Sequence, residues 1–119
     1  MLLILSAGSE LSARSLDGLE VTIQNERRIE ISLTLSEALP EIPSSFTIDN
    51  PARIAIDLPE TNVRLKEKTV PLKTSHTESI VVIEALDRTR VVINMLELVP
   101  YRLSTDSNRI ILTHSDRCS

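Results

Sequence analysis

Between Arg28 and Leu35 the chain reads RIEISLTL, an unbroken alternation of apolar and polar residues. Successive side chains of a β-strand point to opposite faces, so Ile29, Ile31, Leu33 and Leu35 share one face and Arg28, Glu30, Ser32 and Thr34 the other. A slip of one residue would expose all four apolar side chains, so the register is strongly specified. The same rhythm returns in FTIDNPARIAIDLP, residues 46–59. Phe46 to Ile48 reads as a short strand, with Phe46 expected in the core. Asp49, Asn50 and Pro51 form a turn, because Asp and Asn bond back to nearby amides and Pro fixes its own φ. Arg53 to Leu58 then runs back, with Ile54, Ile56 and Leu58 on one face, until Pro59 ends the ladder. Each hairpin has one greasy face that must be covered by something.

The rest of the chain extends this pattern. Leu19, Val21 and Ile23 alternate in a first strand, and Asn25 to Arg27 turn the chain. Residues 60–75 are the least patterned; Val63, Leu65, Val70 and Leu72 suit one or two irregular edge strands, with Lys66, Lys68 and Lys73 guarding the edge. Ser79 to Leu86 is nearly continuous in apolar residues, the mark of a strand that is central or covered on both faces. Thr89 to Leu96 runs back from a turn at Asp87 and Arg88, and Tyr101–Ser104 with Arg109–Thr113 makes a last hairpin. An internal echo links Arg28–Pro40 followed by Arg53-Ile54-Ala55-Ile56 to Arg90–Pro100 followed by Arg109-Ile110-Ile111-Leu112. Two such halves, each with one apolar face, are expected to pack face to face. The predicted fold is all-β: an antiparallel β-sandwich of two small packed sheets with an internal pseudo-repeat and little helix. With 119 residues there is room for one such domain, spanning 15–114. Residues 1–14 read as the remnant of a signal peptide or a flexible N-terminal segment, with a short apolar run and small residues up to Ala13, and 115–119 as a tail.

Few routes to catalysis survive. The two histidines, His76 and His114, are far apart in the sequence and are expected in solvated loops; neither has the spacing of a metal site or a nucleophilic triad. The acidic pairs Asp49 with Asp57 and Glu84 with Asp87 read as turn formers and cross-strand ion partners rather than as a general acid and base. Gly8 and Gly18 are the only glycines, too few for a phosphate-cradling loop. Cys118, the single cysteine, forms no internal disulfide. No cofactor, no metal and no enzyme activity are expected. The net charge of −4 with dispersed basic residues speaks against nucleic acid as a partner, and no segment is long enough to span a membrane as a helix.

The run FTIDNPARIAIDLP, followed by EALDRTRVVINM and then VPYRL, resembles the AMIN domain, in the form found near the N-terminus of type IV pilus secretins; the targeting domain of periplasmic N-acetylmuramoyl-alanine amidases is a more distant likeness. The resemblance covers roughly residues 15–114. It implies a non-catalytic peptidoglycan-binding and localisation module in the periplasm, anchoring an outer-membrane secretin complex to the cell wall. The implied partners are peptidoglycan and other type IV pilus or secretin components; a module that docks pilus-assembly proteins through a free sheet edge, or that targets an amidase, is the alternative. No pore-forming or hydrolase domain is expected within these residues. With no Trp and with Phe46 assigned to the core, sugar stacking is not expected, which leaves the arginine-rich basic set. Arg28, Arg53, Arg88 and Arg90 carry outward parity and could form a stripe with Glu30 and Asp57. They stand either as a ladder of cross-strand ion pairs or as guanidinium forks for the carboxylates of peptidoglycan stems.

Overall fold

The computed structural model describes residues 14–25, 28–72, 74 and 76–115. The alternating stretches become ten strands: β1 (Arg14–Asn25), β2 (Arg28–Leu35), β3 (Ser44–Ile48), β4 (Arg53–Pro59), β5 (Thr61–Val63), β6 (Thr69–Pro71), β7 (Thr77–Glu84), β8 (Arg88–Met95), β9 (Tyr101–Asp106) and β10 (Arg109–Ser115). Among the described residues there is no helix. One sheet runs β5-β1-β2-β10-β9 and the other β3-β4-β8-β7-β6. Every neighbouring pair is antiparallel except β1 with β5. The chain is an all-β sandwich. The weakly patterned linker supplies β5 to the edge of one layer and β6 to the edge of the other, as its composition suggests.

The two halves of the chain do not form one layer each. Hairpin β3–β4 leaves its own half to pair with β8, and β9–β10 joins β2, so each layer contains a hairpin from both halves. Pro40 and Pro43 make this crossing understandable. Neither can donate to a ladder, so the chain beyond β2 cannot fold straight back onto it. The exchange places β2 and β10 against β4 and β8 at the centre of the sandwich.

An approximate twofold relates the layers. β2 and β8 have equal length and an identical sequence of buried and exposed positions. Arg109 pairs with Thr34 as Arg53 pairs with Asn94. Register shifts interrupt β1 between Leu16 and Gly18 and β7 between Thr77 and Ser79. Leu35 N donates to Asn108 O at 2.9 Å and Met95 N to Ala52 O at 3.0 Å. Arg28 therefore corresponds to Arg88, two residues before the Arg90 that the sequence echo aligns with it.

Between the layers, Ile54, Ile56, Leu58, Ile80, Val91 and Ile93 meet Leu16, Ile31, Leu33, Leu35, Ile110 and Leu112, all at most 2% exposed. Each such side chain contributes about 1.5–3 kcal/mol when removed from water. Three polar contacts cross the same interior. Thr89 Oγ1 donates to Thr61 O at 2.6 Å, Thr77 Oγ1 and His114 Nε2 lie 3.0 Å apart, and Ser45 Oγ and Tyr101 Oη lie 2.7 Å apart. His114 is thus a buried residue of β10, not a solvated loop histidine: β10 extends through it, and its inward parity puts the ring opposite Ile29.

Two other expectations are corrected. Phe46 is not in the core. It pairs with Ala55 on the outer face of its sheet, because burial of Ile54, Ile56 and Leu58 fixes the inward parity and leaves Ser45 and Thr47 on the inner side. Of the two readings of Ser79–Leu86, burial on both faces is the one overturned: β7 lies inside its sheet, between β8 and β6, but Ile83 on its outer face is exposed. The proposed signal remnant Met1–Ala13, residues 26 and 27 of the first turn, and Cys118 lie outside the described residues.

The shared layers predict how the chain tolerates cutting. Peptides covering 14–72 and 76–115 should each lack sheet signal by circular dichroism and regain it on mixing; a separately folded 14–72 peptide would refute the exchange as the source of stability.

Candidate functional site

The twofold is broken at two connections: the turn 49–52 between β3 and β4 is two residues longer than 107–108 between β9 and β10, and the loop before β3 also differs. The segment 36–43 between β2 and β3 is two residues longer than 96–101, its counterpart before Arg102, which matches Ser44. The longer loop carries Pro40, Glu41, Ile42 and Pro43, and it stands away from the sheet. Between it and the ends of β4 and β8 lies an open cleft of about 460 Å³. Leu39, Pro40, Ile42, Pro43 and Pro59 give it apolar walls; Asp57 and Arg88 line its base, and Glu41, Glu60 and Asp87 its rim. Proline rings lose little entropy on ordering, so these walls are stiff. The Glu60 amide donates to Asp87 O at 2.9 Å, tying the β4–β5 corner to the β7–β8 turn that borders the cleft.

The charged base is organised by Asp57. Arg90 lies directly across from it on β8 and clasps it with both arms of the fork, Nε to Oδ1 at 2.7 Å and a terminal nitrogen to Oδ2 at 3.1 Å. Arg88 approaches Asp57 at 3.6 Å and Asp87 at 3.4 Å. The Arg90 hydrogen bonds, opposed by partial burial and helped by the charges of both arginines, hold the Asp57 carboxyl below its ordinary 3.8; the same bonds push the Arg90 guanidinium up. A carboxylate so held stays ionised and is unsuited to act as a general acid. The outer side of the Arg90 guanidinium stacks over the Phe46 ring at 5.1 Å.

The four arginines named from the sequence do not form one stripe. Arg53, Arg88 and Arg90 share the outer face of the β4–β8 sheet, while Arg28, with Glu30, lies on the outer face of the other layer. Outward parity is common to all four, but parity says nothing about which sheet a strand joins. Arg90 is not an unpaired fork, because Asp57 occupies it. Arg53 is the contrasting case: its Nε is buried, and no hydrogen bond from the described residues reaches it. Of the acidic pairs, Asp49 and Asp57 lie at opposite ends of the β3–β4 hairpin. Glu84 instead faces Lys68 at 3.8 Å. His76 is half-buried, with Nε2 2.7 Å from Glu97 Oε2. That carboxylate is mostly solvent-exposed, so the pair sits at the surface and not in an enclosed pocket. No group of three His, Cys, Asp or Glu among the described residues could hold a metal ion, and no helix there is long and apolar enough to cross a membrane. The cleft itself was legible only as a difference in loop length: four residues separate Pro40 from Ser45, whereas two separate Pro100 from Leu103, the counterpart of Ser45.

A small β-sandwich with exchanged hairpins and a proline-walled cleft at one end defines the class, and the chain belongs to the AMIN domain family, whose family model matches residues 18–114. Over 102 residues, 86% of the chain, it is 36% identical to the fimbrial assembly protein PilQ of Pseudomonas aeruginosa. The chain spans 14% of that relative's length. No solved structure matches it significantly.

Because the folded-state pKa of Asp57 lies below its unfolded value, the stabilisation is present above about pH 4 and is lost as pH falls through the folded-state pKa. Asp57→Asn should cost about 1 kcal/mol near neutral pH and flatten the acid limb of stability, measured by urea denaturation at about pH 7 and about pH 3. An unchanged acid limb would show that the Asp57–Arg90 pair is energetically silent.

Proposed function

We propose that this chain is a non-catalytic periplasmic module that binds peptidoglycan and so localises a type IV pilus secretin, anchoring the pilus or secretion complex to the cell wall. The observation that carries the reading is the AMIN match over 18–114, a range that includes both layers of the sandwich and every residue lining the cleft. Similarity to a fimbrial assembly protein favours a secretin context over an amidase one.

The cleft is where the wall polymer's chemistry fits best. Peptide stems of cell-wall polymer carry both carboxylates and amines. Arg88 offers a partly exposed guanidinium to a stem carboxylate. Glu41, Glu60 and Asp87 on the rim offer acceptors to an ammonium group, and the proline walls take aliphatic side chains. Arg90 acts from behind by holding Asp57 in place, and Arg28 and Arg53 lie off the cleft as secondary contacts for an extended polymer. Contacts of this kind are weak singly, and retention at the wall comes from many copies acting together in a ring.

Co-sedimentation with purified sacculi at low salt tests the reading. The protein should pellet, added salt should reduce pelleting, and Arg88→Glu should weaken it at least about fivefold. No pelleting above that of an unrelated β-sandwich would overturn wall binding.

A further inference from the structure

We propose that the outer face of the β3-β4-β8-β7-β6 layer, with the free edge of β3, receives an extended acidic and apolar segment of another protein as an added strand. The argument starts from the approximate twofold, which lets each outer position be compared with its counterpart. Across the first layer one row reads Glu20, Ser32, Ile111 and Ser104; the equivalent row of the second reads Val81, Val92, Ala55 and Phe46. Both layers fold with the same inner packing, so folding does not demand the apolar row. Phe46 and Ile83 on that face are 38% and 49% exposed.

The strand edges differ in the same sense. β5 and β6 are three residues each, and β9 carries Arg102 and Asp106. β3, Ser44-Ser45-Phe46-Thr47-Ile48, is longer than β5 or β6 and has neither charge nor proline, the features that normally protect a sheet edge. An edge of this kind accepts a strand by main-chain hydrogen bonds, while alternate side chains of the guest lie on the outer face beside Phe46.

Charge selects the guest. On this outer face Arg90 and Arg88 are met by Asp57 and, in the adjoining turn, Asp87, while Arg53 has no carboxylate partner among the described residues, an excess of one positive charge. On the opposite outer face Arg28, Arg102 and Arg109 are balanced by Glu20, Glu30 and Asp106. Arg53 pairs with Ile48, one strand in from the free edge. A guest carboxylate opposite Ile48 lies two strand spacings away, about 10 Å, a gap that two side chains close. A second copy of this chain would bring the same excess of positive charge and be repelled. An acidic segment with apolar residues at alternate positions fits both features.

The probe is a synthetic peptide of about nine residues, alternating valine and threonine with one central glutamate, and its lysine counterpart. With the full chain, addition to about 1 mM should shift the backbone amide resonances of Ser44–Ile48, and the lysine peptide should bind at least about tenfold more weakly. Arg53→Gln should make the two peptides equivalent. Phe46→Ser combined with Val81→Glu, which installs the residues of the opposite face, should abolish the shifts while leaving sacculus pelleting unchanged. If that double variant does not fold by circular dichroism, Arg53→Gln alone decides the matter. Equal binding of both peptides, shifts confined to other strands, no shifts, or edge pairing between copies in sedimentation would each overturn the proposal.

Discussion

Burial of the faces of β2 and β10 against those of β4 and β8 is the constraint from which the other features follow. Ile31 and Leu33 need a cover, as do Ile54, Ile56, Val91 and Ile93, and neither sheet can supply its own. Because the central strands of each layer come from different halves of the chain, the halves cannot acquire their covers one after the other. The polar contacts within the interior fit this arrangement. Thr61, Thr77, Thr89 and His114 are all buried, and each has a hydrogen-bonding partner in the opposite layer, so these contacts tie the two layers together in one register.

Near-symmetry inside makes the asymmetry outside informative. Inner positions obey the same packing demand in both layers and have converged on Ile, Leu and Val. Outer positions and loops carry no such demand. There the second layer has an apolar row in place of a polar one, Asp57 where the first layer has Thr113, and Arg90 where it has Glu30. The Asp57–Arg90 clasp belongs to this difference. It fixes a guanidinium over Phe46 and leaves Arg88 as the cation nearest the cleft. The longer loop 36–43 adds the walls. A wall-binding cleft and a protein-docking face can therefore sit on neighbouring parts of the same layer, with Arg53 the residue common to both.

Local alternation was a reliable guide where only one parity is apolar. Arg28–Leu35 and Arg53–Leu58 form strands with the predicted faces inward, and the linker's sparse apolar residues become short edges. The guide failed where both parities, or a lone aromatic, were apolar. Phe46 reads as core because it is large and greasy, yet its pairing with Ala55 puts it outside. Val81 likewise faces outward on a strand whose other face is already committed. His114 failed in the opposite direction, since a histidine near the chain end is inward-facing once β10 is extended to include it.

Strand content, the all-β class, the turn at Asp49–Pro51 and the membership implied by the hairpin motifs were written in the order of the residues, because side-chain parity and turn chemistry act over a few positions. Which hairpin joins which layer, which arginines become neighbours, and where a cleft opens were settled only on folding. Those depend on pairings between residues far apart in sequence, such as Asp57 with Arg90 and Ile31 with Leu112, and period-two patterning carries no information about the identity of a strand's neighbour.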